Sequence, residues 1–395
     1  MPHPDPFVPD RAPGSPAGGL YVHVPFCVRK CRYCDFYSIE APHPVAAFLA
    51  GLAAEIDAVA EGRGLFCDSA YFGGGTPSLL PPEAAASILE RLRRTFRIDP
   101  AAEITLEANP GTVDRGRLAG YRAAGVNRLN LGVQSLRREK LEFLGRVHGP
   151  AEARRAFEEA RSAGFAQVGI DLIYGLPGES LEAWRRDLEA ALALAPDHLS
   201  CYLLSIEPGT PLGREQAAGR LQAIPEGAAA RLFLFTSEHL SARGFFHYEI
   251  SNFARLAPGG EGAALSRHNR KYWTGAPYLG FGPGAHSHLP PRRFWNPADL
   301  EAWLEALRRG KAPACGAETL DRAQEILEAV FLGLRTAWGV DLADLRTRLG
   351  HDPAREHAGK LEEYMERGLL RREGERLFPT PRGMLVADRL AVELS

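Results

Sequence analysis

Between Leu20 and about Ser205 the chain alternates short β-branched or apolar runs with longer amphipathic stretches, the pattern of successive βα units around a parallel sheet. Six strands are predicted: LYVHV (20–24), AYFGG (70–74), EITLEA (103–108), RLNLGV (128–133), QVGIDLIYG (167–175) and HLSCYLL (198–204). Helical spacing of apolar residues fills the intervals at about 44–61, 82–95, 113–124, 150–163 and 179–194. Six repeats predict an α/β fold built as a partial, TIM-like (β/α)6 barrel, over 20–240. The chemically suggestive motifs follow directly after strands, at the carboxyl end where such barrels place their sites. An open doubly wound sheet has the same periodicity and stays open at this point.

At 395 residues the chain has room for one large domain and a small one. Residues 1–19 carry six prolines and no apolar stretch, which reads as a disordered Pro-rich tail rather than a secretory signal. Nothing downstream reaches the roughly 18 apolar residues of a spanning helix. A cytoplasmic protein with reduced cysteines is expected. Net charge of −2 gives no electrostatic footprint for nucleic acid. Residues 241–316 read as a connecting region. From 317 to 395 the pattern turns to helices (321–336, 340–349, 356–367), a hairpin turning at Glu373-Gly374-Glu375 and a last helix, a winged-helix-like module. Residues 341–395 hold ten Lys/Arg against eleven Asp/Glu, which disfavours a phosphate-neutralising face and leaves a structural or lid role.

Cys27, Cys31 and Cys34 form a C-x3-C-x2-C knot in YVHVPFCVRKCRYCDF, just after the first strand. Three thiolates on one loop can hold three corners of a [4Fe-4S] cube and leave the fourth iron open to a small chelating molecule. The competing reading is a zinc knot with His23 or a remote residue as fourth ligand. Cys67, Cys201 and Cys315 are scattered singly and read as core residues.

This knot resembles that of the radical S-adenosylmethionine (SAM) superfamily, and GGGTP (Gly73–Pro77), one βα unit later, resembles its SAM-amino-group motif. Glu107 in TLEANPGT, Gln134 in LNLGVQS, Arg146 in FLGRVHG and Asp171 in GIDLIYGLPGE follow in order. By resemblance to the HemN/HemW branch of that superfamily, Tyr21, Tyr33, Gly74, Gly75, Thr76, Glu107, Gln134, Arg146 and Asp171 are expected SAM contacts. In that superfamily the reduced cluster passes an electron to the sulfonium of SAM, whose carbon–sulfur bond then breaks.

Local residues separate two branches. The oxygen-independent coproporphyrinogen III oxidases look like C-x3-C-x2-C-x-C with a longer N-terminal segment; here Phe36 stands at the last cysteine position, and 26 residues precede Cys27. SRHNRKYWTG (266–275) matches the HNxxYW motif of the haem-chaperone branch. The resemblance implies haem as bound cargo, His268 as axial ligand and Tyr272 and Trp273 packed on the macrocycle. It implies acceptor haemoproteins as partners, no membrane span but room for peripheral membrane contact, and a monomer or homodimer. Reductive SAM cleavage is compatible with it; coproporphyrinogen oxidation is the alternative function, and modification of an RNA a third. Gly280, Gly282 and Gly284 in GFGPGAHS are expected in a tight loop near the cluster or SAM, with His286 and His288 as loop histidines or extra haem ligands. His198 and His247 read as structural.

Overall fold

A computed structural model describes residues 17–59, 62–257 and 264–395. β1 (Gly18–Val24), β2 (Phe66–Gly74), β3 (Arg97–Ala108), β4 (Arg128–Gln134), β5 (Gln167–Tyr174) and β6 (His198–Leu203) pair in parallel and in chain order. The chain returns between them through α1 (Val45–Ala58), α2 (Pro82–Thr95), α3 (Arg115–Ala124), α4 (Arg138–Leu144), α5 (Pro150–Ser162) and α6 (Leu181–Leu192). A doubly wound sheet reverses its strand order at a switch point, whereas this order runs without reversal. Right-handed crossovers of one sense put the helices on one side, so the sheet curls into the partial barrel.

Residues 1–16 of the expected tail lie outside the described residues, whereas Gly18 and Gly19 already pair in β1. Helix ends follow local chemistry. Asp114 accepts from the Arg117 N–H to start α3, and Gly125 at φ +105° ends it; Ser180 caps α6 in the same way.

Side chains alternate across each barrel strand, and here the alternation is unusually clean for parallel strands. Leu20, Val22, Val24, Ile104, Leu106, Leu129, Leu131, Val168 and Ile170 are buried in the main core, which includes Phe48, Leu52 and Ile56 of α1. The residues between them are Tyr21, His23, Thr105, Glu107, Arg128, Asn130, Gly169 and Asp171. The barrel therefore has an apolar outside under the helices and a polar lumen.

The segment read as a connection contributes strands to the same sheet. After α7 (Pro211–Ala217) and α8 (Glu226–Ser241), β7 (Phe245–Glu249) and β8 (Asn252–Arg255) add antiparallel beside β6. α9 (Arg267–Thr274) follows, and then β9 (Tyr278–Phe281) runs parallel to β1. β10 (His286–Leu289), β11 (Arg292–Trp295) and β12 (Gly316–Thr319) extend it antiparallel, making a sheet of 12 strands among the described residues. The C-terminal module has its own core around Leu334, Leu345, Leu361, Leu377 and Leu390. β13 (Val340–Asp341), β14 (Leu370–Glu373) and β15 (Arg376–Pro379) form its sheet, and the hairpin turns at Gly374 with φ +56°.

Candidate cluster and SAM site

The three cysteines sit on the loop that leaves β1 at the carboxyl end of the barrel. Main-chain bonds pin its base: Cys27 N–H to Ile39 O at 2.9 Å and Ile39 N–H to Pro25 O at 2.7 Å. Arginines clamp its flanks. Arg29 donates to the Gly145 and Arg146 carbonyls, and Arg32 donates to Phe143 O and to both carboxylate oxygens of Glu215 at 2.7 Å. A loop held from four sides presents its thiols in fixed directions.

Each sulfur also meets a donor, as cluster sulfurs do when their potential is tuned by hydrogen bonds. Thr76 Oγ1 donates to Cys27 Sγ at 3.6 Å, Arg146 Nη1 to Cys31 Sγ at 3.2 Å, and the Phe36 N–H to Cys34. The zinc reading fares worse, because His23 shares Nδ1 with the Tyr21 hydroxyl at 3.3 Å and Nε2 with Tyr37 O at 2.9 Å. No imidazole lone pair is left on it for a metal. Cys67 and Cys201 are buried, as expected of core thiols. Cys315 is exposed, a correction with a simple cause: it lies in the turn before β12, where its N–H donates to Trp295 O at 2.9 Å.

The triglycine turn packs where side chains cannot. A Cβ on Gly75 would lie 2.7 Å from Phe26 O and 3.1 Å from Cys27 Sγ. Gly74 holds φ +106°, and its Cβ would meet the His23 ring at 2.7 Å. Its N–H and the Tyr71 hydroxyl, the latter at 2.6 Å, both donate to Glu107. Burial pushes the Glu107 carboxyl up to about 7, with Asp171 adding to the rise and the two donors opposing it.

Gln134 ends β4 at φ +67°, left-handed backbone that a non-glycine residue adopts only when its surroundings impose it. Gly132 leaves the space that Gln134 and Arg146 occupy. Arg146 donates to Gly132 O at 2.5 Å as well as to Cys31. Burial disfavours its charge, but Tyr33 and Cys31 outweigh that and raise its pKa. Asn130 Nδ2 donates to Asp171 Oδ2 at 2.7 Å, and burial raises the Asp171 carboxyl.

Three buried polar atoms on these residues have no partner among the described residues: Gln134 Oε1, Arg146 Nε and Asp171 Oδ1. Such groups are rare in a packed interior, and here they are an amide acceptor, a carboxylate and a cationic donor whose guanidinium also meets Cys31 Sγ. That donor set fits a zwitterionic nucleoside bound against a cluster. Strand periodicity alone would have added Tyr71, Asn130 and Tyr202, whose positions on alternating strands put them on the same inner wall; none belongs to a short motif.

HNRKYW lies at the other end. α9 starts at Ser266, whose Oγ accepts from the Asn269 N–H, and Glu103 accepts from the Arg267 and His268 N–H groups. Lys271 reaches Asp68 at 2.5 Å and Ala17 O at 2.8 Å, so the helix plugs the amino-terminal mouth. His268 is 0 % exposed, with Nδ1 shared with Ser69 at 3.1 Å and Nε2 with the Tyr272 hydroxyl at 3.0 Å. Burial drives its pKa down to about 3. Its ring stacks on Tyr71 and Tyr21, and Trp273 lies against Arg335. Of the expected haem surface, His268 is thus internal in this conformation, because hydrogen-bonding neighbours far away in sequence absorb the imidazole, while Tyr272 and Trp273 are half-buried. His198 and His247 are buried and bonded to Tyr248 and Ser237.

The family model of the radical SAM superfamily matches residues 21–191, and that of the HemN C-terminal domain matches 320–386. Among curated relatives, "Heme chaperone HemW" of Mycobacterium tuberculosis is 40% identical over 95% of this chain and 94% of its own. The protein of the same name from Bacillus subtilis is 32% identical over 94% and 97%, and that from Escherichia coli 41% identical over 69% and 71%. The solved structure of coproporphyrinogen III oxidase (HemN) from Escherichia coli superimposes with a TM-score of 0.81, covering 98% of this chain and 91% of that one at 24% identity, which shows the shared fold. Membership of the superfamily implies a [4Fe-4S] cluster and SAM. The chain belongs to the HemW family of radical SAM proteins.

Proposed function

We propose that this chain binds haem and hands it to acceptor haemoproteins, on a barrel that holds a [4Fe-4S] cluster and SAM. The observation that carries the reading is the 40% identity, over nearly the whole of both chains, to a protein named a haem chaperone. One residue argues the same way. Phe36, where the oxidase branch carries a further cysteine, is 67% exposed and offers no ligand.

Cys27, Cys31 and Cys34 would hold the cluster in this reading. When bound, the cluster supplies one electron to the sulfonium of SAM. The chain's own groups bind and orient. Gly74, Gly75 and Thr76 bring backbone close to the ligand's amino end, Arg146 and Gln134 supply a cation and an amide acceptor, and Glu107 and Asp171 supply carboxylates. Tyr21 and Tyr33 close the wall on the cluster side. Net charge of −2 and the balanced C-terminal module support a partner other than nucleic acid. No helix among the described residues is long and apolar enough to cross a membrane.

The test pairs two assays on one anaerobic, cluster-loaded sample. Haem titration is expected to give a saturable Soret change, and incubation with coproporphyrinogen III, SAM and reductant no protoporphyrinogen. Turnover without haem binding would reverse the assignment in favour of the oxidase.

A further inference from the structure

The C-terminal module carries a buried histidine with one ring nitrogen fixed by packing and one facing a carboxylate. The helix Leu342–Leu349 ends at Gly350, φ +58°, and the next residue, His351, is buried. Its Nε2 lies 2.8 Å from Leu394 O, at the end of the helix Ala387–Leu394. The last carbonyls of a helix lack intrahelical partners, and a carbonyl only accepts. The ring hydrogen therefore sits on Nε2, and a neutral His351 keeps a bare lone pair on Nδ1.

That lone pair meets another acceptor. Nδ1 lies 3.0 Å from Glu356 Oε2, and an ionised carboxylate, like a carbonyl, only accepts. Glu356 has no Lys or Arg partner among the described residues, and its other oxygen accepts from the Asp352 N–H at 2.8 Å. Two acceptors this close need a positive charge between them. A second imidazole stands beside them: the ligand atoms of His351, Glu356 and His357 all lie within 4.8 Å of one another. The two rings are 5.9 Å apart between centroids, and neither nitrogen of His357 has a hydrogen-bond partner among the described residues.

The backbone makes this convergence. His357, at φ −126° and ψ 30°, ends the turn Pro353–Glu356 and opens the helix Ala358–Glu366. In an unbroken helix successive side chains stand about 100° apart, and the break at His357 lets Glu356 and His357 approach one point. His351 is buried, His357 half-buried and Glu356 exposed, so that point opens to solvent on one side.

We propose that His351, Glu356 and His357 form a binding site for a divalent transition-metal ion of the zinc class, with water completing its coordination. Two imidazoles and a carboxylate are ligands that suit such an ion. A tetrahedral ion about 2.0–2.2 Å from each puts its ligands about 3.4 Å apart, which rotation of the Glu356 and His357 side chains reaches. A proton on Nδ1 would satisfy His351 and Glu356 and leave His357 without a part; a metal uses all three. Leu394 O, accepting from the Nε2–H, is the outer partner that fixes ring and tautomer of a ligating histidine. The ion would tie the turn 351–357 to the helix Ala387–Leu394 and so brace the module. The site draws on no residue of the cysteine loop and does not depend on the haem-carrier reading.

The anaerobic, cluster-loaded full chain is equilibrated with zinc chloride and read by zinc and iron content, by competition with a chromophoric chelator and by zinc X-ray absorption. We expect one zinc per chain beside unchanged iron, with nitrogen and oxygen ligands, imidazole scattering and no sulfur, and a higher Tm than without zinc. His357→Ala and Glu356→Gln, both outside the module's core, are expected to weaken zinc binding by about ten-fold or more and to lose the Tm rise. Both should keep iron content and far-UV circular dichroism. Wild-type zinc affinity in either folded variant overturns the site. So does a wild-type chain that takes up no zinc, or that holds it through sulfur alone, which would locate the ion at the cysteine loop.

Discussion

Burial and hydrogen bonding pull in opposite directions at Glu55. Its carboxylate accepts from Gly282 N–H at 2.7 Å, Asn296 Nδ2 at 2.6 Å and Trp303 Nε1 at 3.2 Å, tying α1 to the glycine turn beside the cluster loop. Burial wins, and the carboxyl is pushed up from 4.5 to about 7. The folded chain then holds this proton more tightly than the unfolded chain does. Its contribution to stability is present below pH 4.5 and is lost as pH rises through about 7, worth on the order of 3 kcal/mol at about 1.4 kcal/mol per pH unit. Glu55→Gln, which stays neutral, is expected to flatten the fall in stability between pH 5 and 8 measured by urea unfolding. Parallel profiles for variant and wild type would contradict this account of Glu55. The same logic of a group held against its solvation applies to Gln134 and Asp171, except that one buried oxygen of each has no partner among the described residues.

At the scale of elements, the six barrel strands were legible because a strand announces itself by period-two alternation and by the turn residues around it, both local. β9 to β12 were not. Each has four residues, too few for a periodic signal, and β9 finds its partner β1 more than two hundred positions away. α4 was missed for the same reason, with seven residues and one apolar face. In the site, residues within motifs were legible and residues on bare strands were not. The helix of HNRKYW shows the other limit: sequence supplied an imidazole and two aromatics, while Ser69 and Glu103 on distant strands decided that the imidazole faces inward. The GGGTP turn makes a testable claim about element packing. Gly75→Ala would drive a methyl against Phe26 O, Val24 O and Cys27 Sγ, two of them backbone atoms that cannot swing aside. A loss of about 1–3 kcal/mol in stability and lower iron content after reconstitution are expected, with far-UV circular dichroism retained. Wild-type iron content in that variant would show that the turn does not brace the cluster loop.

Over the whole molecule, one sheet serves three ends. Its carboxyl edge carries the cysteine loop, its amino mouth is sealed by α9, and its extension past β1 carries the Gly282–Gly284 turn against His23 and Tyr37. The C-terminal module joins through main-chain bonds, Ile250 N–H to Arg335 O at 3.1 Å and Ala337 N–H to Tyr248 O at 3.0 Å, and through the Arg293–Glu328 ion pair. A polar lumen under an apolar coat is the feature on which the functional reading depends, because it gives a cluster with one open iron a ligand-binding wall. The most direct measurement is electron paramagnetic resonance of the anaerobically reconstituted, reduced chain with and without SAM. The expected result is a [4Fe-4S] signal whose shape changes on adding SAM and which is lost when Cys27, Cys31 or Cys34 is replaced by Ala. A zinc-loaded chain, or a cluster signal indifferent to SAM, would contradict it.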